Sequence, residues 1–138
     1  MDKYSVVNGD LVICEGGEPG RCAVWNSEEP MFYQKALHRV RFTDGSNPKF
    51  YMYYLWFAAQ TGKLNEFFTG MGIKHLTGQS LVKVPVPTLD RNDQDKIILE
   101  IESRLSMCDS IERTVDTALQ QAEAMRQSIL KQAFEGRI

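Results

Sequence analysis

A loop near the middle of the chain carries the side chains best suited to binding a ligand. Residues 69–78 alternate glycine with polar and basic residues, and Lys74 and His75 are adjacent within this segment. Glycine lets the backbone approach a ligand closely, lysine can contact phosphate, and histidine can donate to or accept from a base edge. A lone histidine is more often structural, but this setting favours the nucleic-acid reading. Gln79, just beyond the loop, is a possible amide reader of adenine.

A second glycine-rich segment lies between two short apolar runs. Residues 11–14 and 21–25 predict the two strands of a β-hairpin, with a long tip between them. Bare backbone N–H groups around Gly17, next to Arg21, suit a phosphate or a base edge. A plain turn explains the same pattern, so both interpretations stay open.

Residues 31–42 predict one further strand. Alternation places the basic side chains of Lys35, Arg39 and Arg41 on one face. The opposite face carries His38, Val40 and Phe42. The basic face could track a phosphate backbone, or it could simply be solvated.

Two more elements must position these loops. Asn47 and Pro48 predict the cap and first position of a helix that ends near Thr61, with an aromatic stripe facing the core. Residues 81–86 predict a strand, and the prolines around it predict a stiff hinge before the last third of the chain.

That last third predicts one long helix from Asp90 to Gly136. Asp90 suits a helix N-terminus, Gly136 suits the position after the C-terminus, and no proline intervenes. Such a helix would span about 65 Å. Apolar residues follow steps of three and four, which is typical of a face that meets another helix: Ile101, Leu105, Cys108, Ile111, Val115, Ala118, Ala122, Met125 and Ile129. A helical hairpin broken near residues 109–110 is the alternative.

Charge separates the two parts of the chain. The net charge is −2 overall, but residues 1–88 hold nine Lys and Arg against eight Asp and Glu, whereas residues 89–138 hold seven against ten. A DNA contact must therefore be local to the first part, and the acidic helix is expected to bind protein.

The composition argues against several other classes. Three cysteines without a CxxC spacing, and only two histidines, predict free thiols, no metal site and no cofactor. The first four residues lack a signal peptide's apolar core and no run is long enough for a membrane span, so a cytoplasmic protein without a membrane partner is expected. No methyltransferase motif, nuclease cluster or nucleophile with a nearby base is present. Glu15 and Glu18 flank glycines without a histidine at useful spacing, so an enzyme is not expected.

Several segments together resemble one family, in the family's order and over nearly the whole chain. They are residues 9–25, 33–39, 72–78, 84–87 and, most specifically, 127–136. In these segments the chain is similar to the specificity subunit of type I restriction-modification enzymes.

The resemblance implies a non-catalytic DNA-recognition subunit. In that family two target recognition domains, each followed by a long helix, read the halves of a split site on double-stranded DNA. The helices pair antiparallel and dock methyltransferase subunits, and restriction subunits join the assembly. The alternative function is a helix-mediated assembly protein that does not itself bind DNA.

This chain holds one recognition unit and one helix, and it lacks the strands that normally precede residues 4–6. It is therefore expected to be either a fragment or a half-subunit that forms a homodimer. The predicted fold is α+β: a partial recognition domain over residues 1–88 with β-hairpins and a short helix, followed by one coiled-coil-type helix over residues 89–138.

Overall fold

The computed structural model describes residues 5–138. The first four residues, on which the expectations about a signal peptide and missing strands partly rest, lie outside the described residues. The chain divides into two compact units, Met1–Ile98 and Leu99–Ile138. The predicted functional division after residue 88 stays a prediction.

Five short strands form two antiparallel sheets in the first unit. They are β1 (Ser5–Val6), β2 (Leu11–Cys14), β3 (Cys22–Val24), β4 (Met31–Phe32) and β5 (Leu37–Val40). β1 pairs with β4, and the other sheet has the order β3-β2-β5. The predicted hairpin is confirmed, since Leu11 pairs with Val24 and Ile13 with Cys22.

The prediction of one strand over residues 31–42 is wrong. The chain leaves one sheet after β4 and enters the other at β5, and a turn over residues 33–36 separates them. Ala36 has a φ of 89°, a left-handed conformation that interrupts any extended run. Lys35 therefore lies in a turn, and the predicted basic face does not exist.

Helix α1 (Pro48–Gln60) covers the three-stranded sheet. Asn47 caps it by accepting a hydrogen bond from the backbone N–H of Lys49, with Pro48 in the first turn, as predicted. One core joins the sheet, the helix and the segments that follow: Leu11, Ile13, Leu55, Ala58, Leu64 and Leu76 are all buried. Burying these side chains is the main driving force for folding the unit.

The strand predicted over residues 81–86 is also wrong. A short 3-10 helix (Asn65–Phe67) follows α1, and a single helical turn, α2 (Gly78–Leu81), comes before the proline-rich segment. The hydroxyl of Thr77 accepts from the N–H of Ser80 at 3.2 Å and caps this turn. Local capping thus decides the structure where an apolar alternation suggested a strand.

Helix α3 (Arg91–Phe134) is continuous, so the long-helix prediction is confirmed and a hairpin broken near residues 109–110 is excluded. Asp90 accepts from the N–H of Asp93 at 2.9 Å at the start. At the end, Gly136 has a φ of 70° and the N–H of Arg137 donates to the carbonyl of Gln132 at 2.8 Å. This is the hydrogen-bond pattern with which a glycine terminates a helix.

The first turn of α3 is tied to the start of α1 within the first unit. Buried Gln94 accepts from the backbone N–H of Asn47 at 2.7 Å, and the side chain of Asn47 donates to Asp95 at 2.7 Å. Hydrogen bonds from Asn47 and then Arg91 lower the pKa of Asp95. Asn47 therefore both caps α1 and holds α3.

Candidate nucleic-acid interface

Three loops of the first unit meet at Glu15. They are the hairpin tip (residues 15–20), the β4–β5 turn (residues 33–36) and the glycine loop (residues 69–76). The backbone N–H of Glu15 donates to the carbonyl of Ala36 at 2.8 Å, and the N–H of Leu76 donates to the carbonyl of Glu15 at 2.7 Å. One peptide segment at the end of β2 thus joins all three loops.

The glycine loop is closed at its base by a two-way pair. Thr69 and His75 each donate a backbone N–H to the other's carbonyl at 2.8 Å. Gly70 has a φ of 106°, and a Cβ there would lie 2.3 Å from the carbonyl oxygen of Ile73. Only glycine fits this position. The glycine that suggested a close approach of the backbone to a ligand therefore also determines the shape of the loop.

His38 holds the far end of the glycine loop. Its Nε2 lies 2.6 Å from the carbonyl oxygen of Leu76, and Leu76 is fully buried. Because a carbonyl only accepts, Nε2 must carry the proton. His38 is therefore a positioning residue for the loop, a role hidden because it lies 38 positions from Leu76 in sequence.

The three loops enclose a cleft of about 400 Å³, to which Lys35 and His75 both contribute. A Cβ on Gly16 would lie 3.0 Å from Nδ1 of His75, so the imidazole lies directly against the hairpin tip. The structure thus brings together two predicted DNA-binding residues that are 40 positions apart in sequence.

Lys35 lines this cleft, and Lys74 directly precedes His75 in the glycine loop. Both are exposed, and within residues 5–138 neither forms an ion pair or a side-chain hydrogen bond. An exposed lysine without a protein partner is available to an anionic ligand. This arrangement suits electrostatic contact with phosphates.

Arg21 and Gly17 are not among the residues that line the cleft. Arg21 forms an exposed ion pair with Glu18 at 3.1 Å and lines a separate cavity of about 500 Å³, together with Trp56 and Tyr53 of α1. Gly17 is exposed, with a φ of 74°. The hairpin tip therefore contributes to two neighbouring surfaces.

Gln79 is separate from the cleft-lining residues. It lies exposed in the first turn of α2, two residues after the Thr77 cap. Its amide therefore faces solvent, and its proposed contact with a base remains a prediction.

A buried ion pair between Asp10 and Arg41 was not predicted. Buried Asp10 accepts two hydrogen bonds from Arg41, at 2.7 and 2.6 Å, and one from the N–H of Val7 at 2.9 Å. Burial opposes ionisation of Asp10, but hydrogen bonds from Arg41 and Val7 outweigh it and lower the pKa of the carboxyl. Arg41, expected to face a phosphate backbone or solvent, instead fixes the chain after β5 to the start of β2. Arg39 donates to the backbone of Ser5.

The predicted helix interface falls into two groups by exposure. Ile101 and Leu105 are half-buried, whereas the other seven residues are exposed: Cys108, Ile111, Val115, Ala118, Ala122, Met125 and Ile129. From Cys108 onward the apolar face of α3 is thus open to solvent.

Neither a metal site nor a membrane span is found in the described part of the chain. Within residues 5–138 no group of three His, Cys, Asp or Glu side chains could hold a metal ion. Cys14, Cys22 and Cys108 are free, and burial, followed by the nearby Cys14, raises the pKa of Cys22 to about 11. Over the same residues no helix is long and apolar enough to cross a bilayer.

Comparison with known proteins gives a consistent result. No family model matches the chain. The chain is 27% identical over 145 residues to the type I restriction enzyme EcoKI specificity subunit of Escherichia coli (strain K12), with 100% of this chain and 31% of that subunit covered. It is 35% identical over 60 residues to the EcoDI specificity subunit of Escherichia coli, covering 44% of this chain and 14% of that subunit.

The chain spans less than a third of the length of the curated relatives it matches. The match to the EcoKI subunit nevertheless includes both the loops of the first unit and the long helix. The resemblance carried by the motifs is confirmed: the chain is a homologue, at modest identity, of type I restriction enzyme specificity subunits.

Proposed function

We propose that this chain is a DNA-recognition module of a type I restriction-modification system. Its first unit reads one half of a split site on double-stranded DNA, and it has no catalytic role of its own. The observation that carries the proposal is the alignment of the whole chain with a specificity subunit. The convergence of three loops around a cleft lined by Lys35 and His75 supports it.

The proposed DNA contacts differ in kind. Lys35, Lys74 and Arg21 contact phosphates, which positions the module without reading sequence. His75 and Gln79 offer donors and acceptors to base edges, and Gly17 lets the backbone of the hairpin tip come close. Because the chain is slightly acidic overall, partner subunits contribute much of the electrostatic affinity.

The second unit serves assembly. Its exposed apolar face pairs with another helix, either a second copy of this chain or the matching helix of a longer specificity subunit, and docks methyltransferase and restriction subunits. Ile111, Val115 and Met125 are each more than half exposed, and soluble monomers rarely leave so continuous an apolar stripe uncovered.

A homodimer would have a defined consequence for the DNA site. Two copies related by a two-fold axis present identical recognition units, so the half-sites must be inverted repeats. The site would then be a split palindrome, whereas two different recognition domains in one subunit read unlike halves.

The test is the specificity of the assembled complex. The chain is co-produced with the methyltransferase subunits of its own system, and bound duplexes are selected from a randomised library at fixed salt. We expect a motif bound roughly 10³-fold more tightly than mixed-sequence DNA. Equal affinity for all duplexes would overturn the proposal and leave the assembly function alone.

A further inference from the structure

We propose that Glu15 reads an exocyclic amino group of a cytosine or adenine in the half-site, a step that rests on the proposed function. Glu15 lines the cleft formed by the hairpin tip, the β4–β5 turn and the glycine loop, together with Lys35 and His75. Lys74 is adjacent to His75 in the glycine loop.

The backbone of Glu15 is held in place from both sides. Its N–H donates to Ala36, and its carbonyl accepts from Leu76, at 2.8 and 2.7 Å. The side chain therefore projects from a point that all three loops hold in common. Such fixation is what a direct contact to a base requires, because hydrogen-bond geometry tolerates little displacement.

The carboxylate of Glu15 has no hydrogen-bond donor among residues 5–138. Nε2 of His38 lies 4.0 Å from Oε2 of Glu15, but that nitrogen donates to the carbonyl of Leu76 at 2.6 Å. The Glu15 side chain is 33% exposed, so its oxygens are accessible. Glu18 on the same hairpin tip differs, because it is paired with Arg21.

The chemistry of an ionised carboxylate restricts its partner. It can only accept hydrogen bonds, and phosphate oxygens are both acceptors and of like charge. When the flanking lysines bring a duplex against the cleft, the groups able to satisfy Glu15 are the amino groups of bases. In the major groove these are N4 of cytosine and N6 of adenine.

In the major groove, guanine and thymine present no donor, so docking on either base leaves the carboxylate desolvated and unsatisfied. That penalty is a form of discrimination against guanine and thymine at this position. Glu15 thus supplies selectivity, while the lysines around it supply affinity.

The experiment compares Glu15→Met with the native chain in the full complex with methyltransferase subunits. Duplexes are selected from a library randomised over the half-site, and Glu66→Met, which changes an exposed glutamate of the 3-10 helix in the same way, is the matched control. Methionine keeps the approximate size of the side chain, removes both acceptor oxygens and leaves the backbone bonds of residue 15 unchanged. Thermal unfolding checks that each variant folds.

We expect the preference for cytosine or adenine at one position of the native motif to fall roughly tenfold or more in Glu15→Met, while the preferences at the other positions are kept. Glu66→Met should retain the native motif. A motif unchanged at every position in Glu15→Met overturns the inference while leaving the proposed function intact. Absence of any motif for the native complex overturns both.

Discussion

Nε2 of His38 lies 2.6 Å from the carbonyl oxygen of Leu76, a bond that joins β5 to the end of the glycine loop. Glu15 contacts the same residue from the other side, because it accepts the N–H of Leu76. Both backbone polar groups of buried Leu76 are thereby satisfied, by residues of the three-stranded sheet and its hairpin tip. The position of His75, which directly precedes Leu76, depends on this arrangement.

Replacing His38 with leucine should loosen the glycine loop. The buried carbonyl of Leu76 loses its donor, which costs about 1–3 kcal/mol of the free energy of unfolding. His38→Gln retains a donor and should lose less. Hydrogen exchange at the amides of residues 75 and 76 measures the effect; unchanged protection in His38→Leu would contradict a positioning role.

Changing Lys35 or Lys74 to alanine should weaken DNA binding by the assembled complex for all sequences. Each removed phosphate contact lowers the salt dependence of log K by about one. Arg21→Ala should act in the same direction. Lys83→Ala, at an exposed lysine outside the three loops, is the control; a changed base preference in Lys35→Ala would show that this residue is not a phosphate contact.

The double variant Lys74→Ala with His75→Ala should reduce DNA affinity further while leaving the helix interface intact. The reason is that it removes a phosphate contact and a base contact from one loop. Titration of DNA into the complex measures affinity, and sedimentation measures assembly. If the complex with the double variant bound DNA as tightly as the native complex does, neither residue would belong to the proposed site.

Asp10→Asn should destabilise the first unit by about 3 kcal/mol at neutral pH, because Arg41 is left without its buried counter-charge. The pKa of Asp10 is lowered in the folded state, so its contribution to stability is present above the unfolded pKa of about 3.9 and is lost as pH falls through the folded pKa. Urea unfolding of both proteins at several pH values measures the free energy of unfolding, and the difference between the two proteins should narrow below about pH 4. A difference that does not change with pH would contradict a stabilising role for ionised Asp10. Glu66→Gln should have a free energy of unfolding near the native value at every pH.

The isolated chain should form an antiparallel dimer centred on Val115. The apolar positions are nearly symmetric about this residue, since Ile101 and Ile129 lie 14 residues to either side and Cys108 and Ala122 lie seven. Val115→Asp should give a monomer by sedimentation, because it places a carboxylate at the centre of the apolar face. Thr117→Asp adds the same charge on the other side of the helix and should remain dimeric.

The orientation can be tested with the exposed Cys108. Mild oxidation of Ala122→Cys should join residue 122 of one protomer to residue 108 of the other in an antiparallel pair. In a parallel pair the native chain would itself form a disulfide between the two copies of residue 108. That product, or a native chain that sediments as a monomer at tens of micromolar, would contradict the antiparallel dimer.

Strong local signals were sufficient to predict most of the fold. The start of α1 was marked by Asn47 with Pro48, and the two ends of α3 were marked by Asp90 and Gly136. These signals were sufficient because capping is decided by a few adjacent residues. The strand errors have a different origin. Nothing in the sequence of residues 31–42 indicates that the two ends of this segment pair in different sheets. The helical turn α2 was missed because its Thr77 cap is a single weak signal within a glycine-rich loop.

The candidate site was predictable only as separate segments. Lys35 and His75 were identified singly, but their meeting in one cleft depends on backbone bonds among Glu15, Ala36 and Leu76. These bonds leave no pattern in sequence, because any residue type offers the same N–H and carbonyl. For the same reason the proximity of Glu15 to His38 was missed.

The closed base of the glycine loop separates the residues that determine its shape from those that it displays. The Thr69–His75 backbone pair and Gly70 define the turn, whereas Met71 is fully exposed and Ile73 nearly three-quarters exposed. Side chains at residues 71, 73 and 74 can therefore be exchanged at little cost to folding. The loop would tolerate diversification at these three positions, and a library built there could yield modules with new target preferences on an unchanged scaffold.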